Sequence, residues 1–158
     1  MPQAVETGAG HSRLRLTVAP QHLNPHQVDA ALFACRNPLA RGVLIADDVG
    51  LGKTIEAALI LREMLDRGDI ERSVVLCPPH LVEQWVTELE ARFNLPAVAV
   101  TASSAKRLER AIPPGMSLFQ VHPHTVVSLD YIKTQERRAH FLHHCPELVI
   151  VDEAHACV

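Results

Sequence analysis

The sequence predicts an α/β fold: a parallel sheet whose strands are joined by crossover helices. Two observations lead there. Short, continuously apolar runs alternate with segments of helical periodicity. The runs are apolar along their length and do not alternate with polar residues, as expected where helices cover both faces of a sheet. Candidate strands are Leu14–Val18, Val43–Asp47, Val74–Pro78, Ala97–Thr101, Thr125–Leu129 and Leu148–Asp152.

The helices follow from spacing and caps. Asn24 precedes Pro25, and proline is tolerated in a first turn because its missing N–H would be unpaired there anyway. Thr54 to Arg67 is rich in Ala and Leu, and Gly68 sits where a left-handed C-terminal cap belongs. Val82, Trp85, Val86, Leu89 and Phe93 form one apolar stripe at helical spacing, so core packing is the first reading of Trp85. Pro113-Pro114-Gly115 is a break, and no repeat or low-complexity linker is evident. The chain reads as one doubly wound domain.

Bulk properties bound the function. A chain of 158 residues with 47% apolar content can bury a sizeable core. A formal charge of −3 with interspersed signs neither advertises nor excludes a nucleic-acid surface. Cys35, Cys77, Cys145 and Cys157 are widely spaced and read as reduced thiols. No run approaches the roughly 18–20 apolar residues of a membrane span, and residues 1–12 lack a secretory pattern. A cytoplasmic location without a membrane partner is the simplest expectation.

Ala46-Asp47-Asp48-Val49-Gly50-Leu51-Gly52-Lys53-Thr54 follows an apolar run and opens a helix, the context a phosphate-binding loop requires. Gly50 and Gly52 permit backbone conformations closed to other residues. The N–H groups along Asp48, Val49, Gly50, Leu51 and Gly52 can therefore turn inward on a phosphate. Lys53 would reach the β- and γ-phosphates, and the Thr54 hydroxyl would ligate Mg²⁺. Asp47 stands where the general G-x-x-x-x-G-K-T pattern has its first glycine.

Leu148-Val149-Ile150-Val151-Asp152-Glu153-Ala154-His155 delivers two acids at the end of an apolar run. Ligands of open α/β sheets bind at the carboxyl ends of strands, so both motifs are expected to open onto one edge. Asp152 would complete the Mg²⁺ shell, and Glu153 would orient or deprotonate the attacking water.

Together these motifs resemble the superfamily-two helicase ATPases, in particular the Swi/Snf-like branch. Residues 46–54 are similar to that branch's D-E-x-G-L-G-K-T motif, which accounts for Asp47. Val75-Leu76-Cys77-Pro78-Pro79-His80-Leu81-Val82-Glu83-Gln84-Trp85 looks like its next motif, and Asp152-Glu153-Ala154-His155 matches its DEAH, or Walker B, motif. Leu23-Asn24-Pro25-His26-Gln27 resembles the upstream adenine-recognising segment, and Val126–Tyr131 sits where the family keeps a segment near nucleic acid. Among members, the wording is similar to the bacterial RNA-polymerase-associated ATPase and the DISARM phage-defence helicase.

The resemblance implies a RecA-like P-loop lobe over residues 23–158, preceded by an extension and first strand in residues 1–22. It implies ATP and Mg²⁺ as cofactors, Gln27 on the adenine edge and His155 coupling ATP state to a second RecA-like lobe. For Gln27 the residues alone also allow a capping box with Asn24. Double-stranded DNA is the implied partner. The chain ends three residues after the DEAH motif, so it is expected to be a C-terminally truncated lobe that binds nucleotide weakly and hydrolyses it barely. The alternatives are a non-catalytic nucleotide-binding or interaction module, an inert fragment, and an RNA or restriction-type helicase. His140, His143, His144 and Cys145 read as a polar helix face in preference to a zinc site. Arg107, Arg110, Arg137 and Arg138 read as solvated helix faces.

Overall fold

The computed structural model describes residues 24–36, 42–46 and 52–154. The expected strand Leu14–Val18 lies outside them, as do Asp47, Asp48, Val49, Gly50, Leu51 and His155. The chain divides into two compact units, Met1–Asp69 and Ile70–Val158. No helix among the described residues is long and apolar enough to cross a membrane.

In the first unit, helix α1 (Pro25–Arg36) packs against helix α2 (Lys53–Arg67). Ala31 of α1 and Ala57 and Ala58 of α2 are buried, and such small side chains permit close approach. Arg67 pairs with Glu63 at 2.6 Å and also donates to the Cys35 carbonyl at 3.2 Å, tying the C-terminal ends of the two helices together. Gly68 ends α2 in the left-handed conformation, with φ 75°, and its N–H reaches Leu65 O. Residues 43–46, expected to be a strand, form none, and Leu44 is 84% exposed. An apolar run becomes a strand only where a ladder partner satisfies its backbone.

The second unit carries a four-stranded parallel sheet, β1 (Ser73–Cys77), β2 (Val98–Val100), β3 (His124–Ser128) and β4 (Leu148–Val151), in the order β2-β3-β1-β4. Successive side chains of a strand face opposite ways. Val74, Leu76, Val100 and Val127 share one face and pack with Ala105 of α4 (Ala105–Ala111), with Leu118 and Phe119 of α5 (Leu118–Val121), with Phe141 of α6 (Gln135–His143), and with Tyr131 in the turn after β3. Phe119 and Phe141 meet edge to face, 5.2 Å between centroids. Val75, Cys77 and Val126 are buried on the other face. Helix α3 (Val82–Phe93) lies against β2 and β3 with Val82, Trp85, Leu89 and Phe93 buried, as the stripe predicts. Pro79–Leu81 form a 3₁₀ turn between β1 and α3.

Candidate functional site

Gly52, Lys53 and Thr54, the described residues of the expected phosphate loop, stand at the start of α2. Gly52 precedes it with φ 89°, and its carbonyl accepts from the N–H groups of Ile55 and Glu56 at 2.8 and 3.1 Å. Gly52, at the N-cap position, has no side chain with which to cap this N-terminus. Lys53 and Thr54 occupy the first turn, half-buried. Glu56, in the same turn, is fully buried with a carboxylate oxygen 4.0 Å from His26 Nε2. The motif-based reading passed over this acid, although an acid in a first turn complements the helix dipole.

Gln27 is 2% exposed. Its Oε1 accepts from the Asn24 N–H at 3.1 Å, the interaction that a capping box places between those positions. Its amide nitrogen lies against Gly52, so close that a β-carbon there would stand 2.4 Å away. The side chain therefore serves the start of α1 and borders the loop at once. The structure brings Gln27 and Gly52 together within the first unit; Asp152 and Glu153 belong to the second.

Asp152 sits just past β4, and its N–H extends the ladder by donating to Leu76 O at 2.9 Å. Both carboxylate oxygens are engaged. Oδ1 accepts from the Glu153 N–H at 2.9 Å, and Oδ2 accepts from the Trp85 indole N–H at 2.8 Å. Glu153 is exposed and holds φ 54°, a left-handed conformation uncommon outside glycine. Burial, reinforced by the nearby Asp152 charge, pushes the Cys77 thiol up to about 12. The bond to Asp152 is the feature that sequence reasoning missed. Trp85 is buried as expected, and a buried indole N–H normally finds an acceptor, but spacing alone does not say which.

A cleft of about 650 Å³ lies in the second unit, lined in part by Glu109, Arg110, Gly115, Tyr131, Arg137 and His140. The Tyr131 hydroxyl donates to Glu109 at 3.2 Å, and the Arg137 guanidinium sits 4.5 Å over its ring. Arg137 is thus partly engaged with an aromatic face. His140 and His144 rings lie 4.8 Å apart, and His140 Nε2 is 3.0 Å from Ser117 Oγ. Among the described residues no group of three His, Cys, Asp or Glu is arranged to hold a metal. His124 begins β3, directly after Pro123, with Nδ1 3.0 Å from Ser73 Oγ.

Comparison with known proteins agrees with this architecture. The SNF2-related domain family matches residues 26–157. The RNA polymerase-associated protein RapA of Klebsiella pneumoniae (strain 342) is 36% identical over 137 residues, covering 86% of this chain and 14% of that protein. RapA of Yersinia enterocolitica is 35% identical over 134 residues, covering 84% and 13%. The chain thus spans about one-seventh of the curated relatives it matches. Among solved structures, the Sulfolobus solfataricus SWI2/SNF2 ATPase core in complex with dsDNA superposes with a TM-score of 0.67 at 20% identity. That match covers 85% of this chain and 26% of the other, and it carries the fold alone. A RecA-like parallel sheet, together with a family match over most of the residues, places the chain in the SNF2-related domain family, as an N-terminal lobe of the Swi/Snf-like ATPases.

Proposed function

We propose that this chain is the MgATP-binding lobe of a DNA-dependent ATPase motor, using the loop at 47–54 and the acids after β4. One observation carries the reading: a left-handed Gly52, φ 89°, leads directly into Lys53-Thr54 at the start of α2. A glycine turn feeding the positive end of a helix dipole suits a polyphosphate. The oxygens of Thr54 and Asp152 are the hard donors that Mg²⁺ prefers, and the Asp152 carboxylate is already held by two hydrogen bonds.

In this reading Lys53 neutralises the β- and γ-phosphates, helped by the N–H groups of Asp48, Val49, Gly50, Leu51 and Gly52. Gln27, buried beside Gly52, contacts the adenine edge. Thr54 and Asp152 hold the metal, which when bound offsets charge on the phosphoryl oxygens. Glu153 orients the attacking water and takes its proton. His155 relays nucleotide state to a second RecA-like lobe. Arginines from that lobe raise turnover by about 10³–10⁵-fold. The solved relative's complex with dsDNA supports double-stranded DNA as the track.

Calorimetry on the chain and turnover in the two-lobed motor test these roles. Lys53→Ala is expected to abolish ATP binding, whereas Glu153→Gln keeps binding and loses hydrolysis. Full activity in either variant removes the assignments. Hydrolysis stimulated by dsDNA and fading steeply with added salt is the expected behaviour of a motor that tracks the phosphate backbone. Stimulation by RNA alone points to an RNA motor, and ATP binding without turnover on any nucleic acid points to a non-catalytic module.

A further inference from the structure

We propose that Trp85 is a positioning residue for the Asp152 carboxylate, and that this tryptophan reports metal binding there. The proposal rests on the reading that Asp152 ligates Mg²⁺. The bond itself is a neutral donor on a charged acceptor, Nε1 to Oδ2 at 2.8 Å, the stronger class of hydrogen bond.

The donor is rigidly held. Trp85 is 2% exposed and lies on the buried stripe of α3 between Val82 and Leu89, so its ring has no room to swing away. The acceptor is held from two further directions. The Asp152 N–H is fixed to Leu76 O on β1, and Oδ1 accepts from the Glu153 N–H. With one donor on each oxygen, rotating the carboxyl group breaks both bonds, so the remaining lone pairs keep a fixed direction. Metal-ligating carboxylates are generally oriented by such outer partners, and losing one typically weakens metal affinity about 10–100-fold. The indole thus connects the helix after β1 to the acid after β4, two segments 67 residues apart. Trp85 is the only tryptophan in the sequence, so the tryptophan emission comes from a ring touching the proposed ligand.

Calorimetric ATP titrations at stepped Mg²⁺ concentrations test the idea on the full chain. Trp85→Phe keeps an aromatic ring on the stripe and deletes the donor. The expected result is a rise of about 10-fold or more in the Mg²⁺ concentration giving half-maximal binding, with ATP binding in EDTA unchanged. An unchanged Mg²⁺ midpoint in Trp85→Phe, while Asp152→Asn shifts it, overturns the positioning role and leaves the metal assignment standing. No shift in Asp152→Asn either removes the metal assignment, and the proposal with it. The unmodified chain supplies a second measurement should Trp85→Phe not fold. Its tryptophan emission is expected to change on adding Mg²⁺ to the ATP-bound protein, saturating with the calorimetric midpoint, and to lose that response in Asp152→Asn. A silent emission in the unmodified chain overturns the proposal.

Discussion

Gly52 and Glu153 share a left-handed backbone but differ in what it costs. At Gly52, φ 89° is free of side-chain strain, and the Gln27 amide occupies the space a β-carbon would need. Gly52→Ala is therefore expected to destabilise the first unit by on the order of 1–2 kcal/mol from the backbone alone, with crowding added. Urea denaturation checks this. Combining it with Gln27→Ala should recover the crowding part only, and an unchanged midpoint in the single variant contradicts the argument. At Glu153, φ 54° is carried by a residue that pays the left-handed penalty. Glu153→Gly is expected to raise stability by up to about 1 kcal/mol, since relief of strain exceeds the entropy glycine adds to the unfolded chain. Strain retained at a residue assigned to water activation is the pattern of a functional site. A drop in the unfolding midpoint of Glu153→Gly argues against stored strain there.

At the level of elements, the short helix α5 depends on its cap more than on its length. Ser117 accepts from the Phe119 N–H at 3.3 Å, while Gln120 Oε1 accepts from the Ser117 N–H at 2.8 Å, a reciprocal box. Ser117 Oγ also meets His140 Nε2 of α6, so one hydroxyl serves two helices. Ser117→Ala should lower stability by about 0.5–2 kcal/mol, read as a shift in the denaturation midpoint with unchanged slope. Phe119, fully buried against Phe141, should cost about 3–5 kcal/mol when cut to Ala. These short elements were barely legible in the sequence. Four-residue α5 has too few positions for a period, and its apolar residues answer to partners on β1, β3 and α6. By contrast α3 was legible from its stripe and α2 from its glycine cap, because both signals lie within the element itself.

For the molecule as a whole, burial decides how the fold responds to pH. Burial, aided by Asp152, pushes Cys77 from its ordinary 9.0 to about 12. Burial and the hydrogen-bonded Glu109 push Tyr131 from 10.0 to about 12, partly offset by Arg137. A proton held more tightly in the fold than in the open chain stabilises fully below the open-chain value and is lost as pH rises. Thermal midpoints are thus expected to hold near neutrality and fall between about pH 9 and pH 12, and Cys77→Ala should flatten the lower part of that decline. A midpoint independent of pH across this range contradicts both burials. The Arg72 hydrogen bond holds the Glu147 carboxyl below its usual range, so that contribution is lost in the opposite direction, as acid protonates it. Glu147 is exposed enough for solvent to screen the pair, and its effect should be small.

By itself the sequence determined the alternation of strands and helices, the Lys53-Thr54 helix start, the acids at the end of an apolar run and the membership that those motifs announce. Each is written in neighbouring residues: a period, a cap or a short spacing that local backbone geometry can read. Tertiary structure alone decided that residues 43–46 take no strand conformation, that Gln27 lies against Gly52 and that the Trp85 N–H lands on Asp152. Those outcomes depend on the strand order β2-β3-β1-β4 and on helix packing, which bring distant residues together. A hydrogen bond spanning 67 residues leaves no local periodicity behind it; it exists only once the sheet has brought β4 beside β1.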